Sequence, residues 1–371
     1  MENQQTFKPG LEGVIATQTN LSFLDVDAEE IVIRGYDLIE LAKKKTYLDI
    51  VGLLLDGALP GESRLDQIEQ ELKSEYPLPE ELFDVLRLLP KDTHPMDALR
   101  TGISALAGFD RAVNDRSEKE NRQKGLRLLA KVPSIVANSY HILNENEPVK
   151  ARQSLSYSAN FLYMLTGKAH NELETAIFDQ SLIVYSEHEM PNSTFTARVI
   201  ASTLSDMYGA LTGGVASLKG PLHGGANEAV MYMLLEAKSV DGFRKLIYDK
   251  LKNKERIMGF GHRVYMKKMD PRAVLMKQAL KKLSAEKGDD RLYNMCEAGE
   301  EVMREEKGLY PNLDYYAAPV YYLLGIPVDL YTPVFFAART VGLVAHVIEQ
   351  HQNNRLFRPR VEYTGPRHLH P

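Results

Sequence analysis

Apolar residues recur at spacings of three and four along most of this chain, the pattern of helices that bury one face. "YDLIELAKKKTYLDIVGLLLDG" follows it and stops at Gly57, where a glycine can cap a helix C-terminus. "SRLDQIEQELKSEY", "LPEELFDVLRLLP" and "HPMDALRTGISALAGF" repeat the rule, punctuated by Pro60, Pro77, Pro79, Pro90 and Pro95. One early stretch differs. "GVIATQTNLSFLDVDAEEIVIRGYD" alternates and carries β-branched residues, which predicts two or three short strands. The most apolar run, "YYAAPVYYLLGIPVDLYTPVFFAA", is broken by Pro319, Gly325, Pro327, Asp329 and Pro333, so it predicts buried helices and a turn rather than a membrane span. The fold class is therefore mainly α with a few short N-terminal strands.

Between about Gly224 and Gly325 the chain turns polar and lysine-rich, then becomes apolar again. A smaller domain over 225–325, inserted into a large helical domain of 1–224 and 326–371, would give that pattern. The 371 residues suffice for two such cores, and 44% hydrophobic with 26% charged residues is the composition of a folded chain. A net charge of −5 argues against nucleic acid as a partner. The single cysteine, Cys296, excludes an internal disulfide and a cysteine-based zinc site and fits the cytosol. "MENQQTFKPG" lacks the basic-then-apolar pattern of a signal peptide, so a cytoplasmic location is expected.

Four segments hold residues suited to acid–base chemistry. In "YSEHEMPNSTFTARV", His188 lies between two glutamates; this is either a solvated turn at a helix end or part of a site. In "LKGPLHGGANEAVMYMLLEA", His223 precedes two glycines and a helix. The positive end of that helix would disfavour imidazolium and leave His223 a neutral hydrogen-bond donor. "IMGFGHRVYMKKMDPRA" combines a Gly-x-Gly loop, His262, Lys267 and Lys268 with Asp270 as N-cap and Pro271 at the first helical position. Arg272 in that first turn opposes the helix dipole, a conflict an anion would resolve. In "KGLYPNLDYYAAPVYYLLGIP", Asp314 reads either as an N-cap or as a general base tuned by burial. Beyond it, Arg339 sits on the apolar helix "FFAARTVGLVAHVIEQ", and a guanidinium there needs an anionic partner. These residue types suit a small polyanion, with two histidines and a carboxylate for proton transfer.

Taken in order, "GPLHGGANEAV", "GFGHRVY…DPRA", "PNLDYYA" and "ARTVG…HVIEQ…RPRVEYTGP" resemble the citrate synthase family, in particular its short bacterial citrate and 2-methylcitrate synthases of Bacillus type. The resemblance runs the whole chain. It implies a two-domain helical homodimer that condenses an acyl-CoA, acetyl or propionyl, with oxaloacetate, without metal or cofactor. Asp314 would remove the α-proton and His223 would hydrogen-bond the thioester oxygen, while His262 would polarise and protonate the ketone. His188, Arg272 and Arg339 would bind oxaloacetate, with Arg358 arriving from the other subunit. The loop Ile257, Met258, Gly259, Phe260 and Gly261 would receive the CoA adenine, and Arg256, Lys267 and Lys268 would face its phosphates.

The chain departs from the family pattern in three places. "RVYMKKM" is one residue longer than the usual loop, "YYAA" replaces an aromatic pair followed by Ser-Gly, and Pro191 stands where asparagine is commonest. Two other readings compete. A non-catalytic CoA or dicarboxylate sensor would not require His223, His262 and Asp314 together, and a nicotinamide dehydrogenase would need a strand–GxGxxG–helix unit that the chain lacks.

Overall fold

The computed structural model describes residues 7–25, 28, 30–261 and 268–371. A three-stranded antiparallel meander, β1 (Ser22–Asp25), β2 (Glu30–Ile33) and β3 (Tyr36–Asp37), opens the fold. Ile31 and Ile33 alternate inward and are fully buried. Arg34 and Gly35 both have positive φ, 50° and 87°, as a two-residue hairpin between twisted strands requires.

Helices follow. The first ten are α1 (Leu38–Lys44), α2 (Tyr47–Asp56), α3 (Glu62–Ser74), α4 (Glu80–Arg87), α5 (Pro95–Leu106), α6 (Glu118–Leu143), α7 (Tyr157–Thr166), α8 (Glu172–Ser186), α9 (Asn192–Ser202) and α10 (Met207–Leu218). Then come α11 (Ala226–Ala237), α12 (Val240–Lys252), α13 (Pro271–Lys287), α14 (Arg291–Lys307), α15 (Leu313–Leu323) and α16 (Tyr331–Gln352). The mainly helical reading and the early strands hold.

The first predicted helix is instead two. Thr46 stops α1 and restarts the chain as α2 through a capping box, in which its side chain and that of Asp49 each accept the other's backbone N–H. Gly57 ends α2 in the left-handed conformation, φ 85°, as expected.

The apolar run becomes α15, a turn and α16. The stretch Val328–Gln352 is long and apolar enough to cross a membrane, yet 94% of its apolar window is buried inside the protein, so it serves as a core helix. Helix α16 packs on α6, α8, α9 and α10. Its Gly342 lets the end of α8 pass closely: a Cβ there would lie 2.1 Å from Glu187 Oε2. Helices α11 to α15 pack on one another and meet the rest where α13 touches α8 and α11 touches α16.

Candidate active site

The end of α8 is not the solvated turn that one reading of the sequence allowed. Glu187 is wholly buried and His188 is 9% exposed. Glu187 Oε1 accepts from the Ser22 hydroxyl at 2.8 Å and from His346 Nε2 at 3.1 Å. His346 Nδ1 accepts in turn from Arg198 at 3.0 Å, which places the imidazole proton on Nε2. Arg198 also donates to Glu349 at 2.6 Å and to Gln350 at 3.0 Å. Burial alone would raise the pKa of Glu187, but His346, Arg339 and Ser22 outweigh it and hold the carboxyl below its ordinary value.

At Asp314 the N-cap reading fails for a local reason. Asn312 caps α15, its side chain accepting the Asp314 N–H at 3.1 Å. That leaves the Asp314 carboxylate to the site, where the Tyr185 hydroxyl donates to Oδ1 at 2.7 Å. Burial raises the pKa of Asp314, as does Asp270, against the pull of Tyr185, Arg272 and Arg339; the net shift is upward. The next two residues anchor the helix. Tyr315 donates to the Cys296 carbonyl at 2.9 Å and Tyr316 donates to Glu300, both acceptors on α14.

The Gly-x-Gly loop is pinned to the start of α15. Asn312 N–H donates to the Gly259 carbonyl at 2.9 Å, Asn312 Nδ2 donates to the Gly261 carbonyl at 3.2 Å, and Phe260 packs on Tyr315 at 4.5 Å between ring centroids. Gly259 has φ +88°, and a Cβ on it would meet Val230 at 2.7 Å and Tyr315 at 2.8 Å. The glycine is thus required by packing, whatever else the loop binds. Ile257 is a core residue, while Met258 and Phe260 are half-buried and Arg256 and Lys268 are exposed. His262 and Lys267 lie outside the described residues.

The helix start at Asp270 is as expected, with Pro271 at the first position. The anion that answers Arg272 within the chain is Asp270 itself: Oδ1 accepts from Arg272 Nε at 3.0 Å and Oδ2 from Nη2 at 2.8 Å. This bidentate pair holds the guanidinium in one orientation. Arg339 is 3% exposed and donates from Nε to the Tyr185 carbonyl at 2.6 Å, with its guanidinium over Phe335 at 4.9 Å. Burial lowers its pKa to about 10, with Arg272 adding to the effect, so it stays charged at neutral pH.

His223 faces the start of α9. Its Nε2 accepts the Ser193 backbone N–H at 3.1 Å and lies 2.9 Å from the Ser193 hydroxyl. Burial and then the charge on Arg339 lower its pKa to about 4. The imidazole is therefore neutral, with its proton on Nδ1. Arg358 is exposed on the extended tail after α16. The structure thus brings Asp314, Arg272 and Arg339 into mutual electrostatic range, with His223 within range of Arg339.

Residues 10–360 match the family described as citrate synthase, C-terminal domain. The chain belongs to the citrate synthase family. It is 67% identical over 369 residues to a citrate synthase of Heyndrickxia coagulans, covering 100% of this chain and 99% of that one. It is 64% identical over 368 residues to a citrate/2-methylcitrate synthase of Bacillus subtilis, covering 99% of each. A citrate synthase of Thermoplasma acidophilum, solved as a ternary complex with carboxymethyl coenzyme A and oxaloacetate, superposes with a TM-score of 0.92 at 32% identity over 98% of both chains. As a citrate synthase family member the chain is an enzyme.

Tyr185, Ser193 and Asn312 were not singled out from the sequence. Tyr185 opens the very segment that contains His188, but a tyrosine on an apolar helix face reads as core. Ser193 and Asn312 touch the site through a backbone N–H and a cap, which residue type alone does not reveal.

Proposed function

We propose that this chain, which condenses an acyl-CoA with oxaloacetate, uses Asp314 to remove the α-proton while His223 donates its Nδ1 proton to the thioester oxygen. An α-proton beside a thioester is very weakly acidic, so a carboxylate takes it only if the developing oxyanion is stabilised at once. The observation that carries this reading is that a neutral imidazole and a buried carboxylate of raised pKa both lie within electrostatic range of Arg339. The resulting enol(ate) attacks the ketone carbon of oxaloacetate, whose carboxylates suit Arg272, Arg339 and His188. His262 is assigned to protonate the ketone oxygen on sequence grounds alone. Water then cleaves the condensed thioester and releases CoA. Side chains perform every proton transfer in this scheme, which uses no cofactor.

Both acetyl-CoA and propionyl-CoA are taken as substrates, giving citrate and 2-methylcitrate. One methyl group discriminates by only about 1–3 kcal/mol in a pocket. The small Ala317 and Ala318 behind Asp314 are both fully buried. A cytoplasmic homodimer with closing domains, 225–325 over the remainder, completes the reading. The tails favour a second copy, because Ile15, Val361 and Leu369 are 89%, 88% and 77% exposed. CoA phosphates would meet Arg256, Lys267 and Lys268.

Thiol release is the test, with oxaloacetate and each acyl-CoA in turn. The kcat/KM values for propionyl-CoA and acetyl-CoA should lie within about two orders of magnitude of each other. Asp314→Asn should lose roughly 10²–10⁴-fold in kcat while still binding oxaloacetate. Near-normal turnover in that variant would remove Asp314 as the base.

A further inference from the structure

A carboxylate on the first turn of a helix has two chemically similar oxygens and a side chain able to turn. As a base it needs one oxygen aimed at the substrate and the other held. Tyr185 meets that need. Its ring is 1% exposed and packs against Phe335 at 4.7 Å and Tyr321 at 6.4 Å between centroids. Its hydroxyl donates to Asp314 Oδ1 at 2.7 Å, across 129 positions of sequence. Its backbone carbonyl accepts from Arg339 Nε at 2.6 Å.

We infer that Tyr185 is a positioning residue for the base, fixing the Asp314 carboxylate through Oδ1 so that Oδ2 takes the proton, and tying that carboxylate to the Arg339 guanidinium. The inference rests on Asp314 being the base. Burial drives the Tyr185 hydroxyl well above its ordinary range, so it remains a donor at every working pH. One residue then serves both halves of the reaction: its side chain holds the group that acts on the acyl-CoA, and its main chain holds a group suited to oxaloacetate. Among the described residues, the charged and titratable groups facing Asp314 are Tyr185 from α8, Asp270 and Arg272 at the start of α13, Arg339 from α16 and Tyr321 further along α15. Among them Tyr185 is the one that hydrogen-bonds the carboxylate.

Tyr185→Phe removes the hydroxyl and keeps the ring and the carbonyl. In that variant kcat should fall roughly ten- to a hundred-fold, the worth of one hydrogen bond to a charged group. The Kd for oxaloacetate, measured without acyl-CoA, should not change. Losing a donor to the ionised form raises the carboxyl pKa, so the acidic limb of the pH–rate profile should move to higher pH. Placed on Asp314→Asn, the same substitution should cost nothing further.

An unchanged kcat and an unmoved acidic limb in folded Tyr185→Phe would overturn the inference. So would a loss of rate accompanied by a lower Tm and weaker oxaloacetate binding with the limb unmoved, which is the outcome for a packing residue. If Tyr185→Phe does not fold, 3-fluorotyrosine inserted at 185 keeps the shape with a stronger donor. It should shift the limb to lower pH, and a stationary limb would again overturn the idea. An active Asp314→Asn defeats the base assignment itself, whereas an inactive Asp314→Asn beside a normal Tyr185→Phe defeats only the role of Tyr185.

Discussion

At His223 a backbone amide decides where the proton sits. Ser193 N–H fills the lone pair of Nε2, which leaves the hydrogen on Nδ1. The sequence predicts neutrality from the helix after the residue. The structure credits burial and Arg339, with the amide coming from the start of α9, 30 positions earlier. No local pattern displays a contact of that range. The pKa lies at about 4, below the ordinary value of 6.5 expected on unfolding. The stability this depression confers is therefore fully present above about 6.5 and is lost as pH falls toward about 4. Relative to His223→Gln, the natural protein should lose stability across that window, and NMR should find the His223 imidazole uncharged at pH 7. A protonated ring at pH 7 would refute the donor role. Arg272 gives the opposite lesson: the sequence demanded an anion, and the nearest one, Asp270, stood two residues away in the quoted motif.

On the scale of helices and loops, periodicity located most elements because their apolar faces are continuous. It merged α1 with α2, since the capping box at Thr46 interrupts the backbone without interrupting the apolar spacing. It likewise offered Asp314 as a cap, whereas Asn312 takes that role two residues earlier. The Gly259 loop and α15 behave as one unit. Gly259→Ala would place a Cβ 2.8 Å from the Tyr315 ring while holding an L-residue at φ +88°. The left-handed backbone alone costs about 1–2 kcal/mol, and the overlap adds to it. Calorimetry should show a lower Tm, and kcat should fall as Tyr315 displaces its neighbour Asp314. An unaltered Tm would mean the loop can relax away from α15.

Across the whole molecule, a buried polar chain from Ser22 through Glu187, His346 and Arg198 reaches Gln350, where the C-terminal tail departs. Gln350 donates to the Arg355 carbonyl at 3.3 Å, and Phe357 is held by the Ser202 hydroxyl at 3.2 Å and by Phe195 at 5.7 Å between ring centroids. The tail is thus fastened as far as Phe357, and Arg358 is the first residue past the fastening. If it serves the other subunit, mixing Arg358→Ala chains with Asp314→Asn chains should restore activity. One site of each heterodimer would then hold an intact Asp314 and an intact Arg358, giving up to half the wild-type site count. Heterodimers with no activity would show that the tail serves its own chain. Finally, Cys296, whose carbonyl receives the Tyr315 hydroxyl, carries the sole thiol of the chain, buried and pushed by burial well above the ordinary thiol range. A thiol reagent reaches it only when the packing around α14 opens, because the protonated, enclosed sulfur is unreactive. The rate of labelling is therefore a clock for how often α14 parts from the helices packed on it, α15 among them, readable in the natural protein without any added probe.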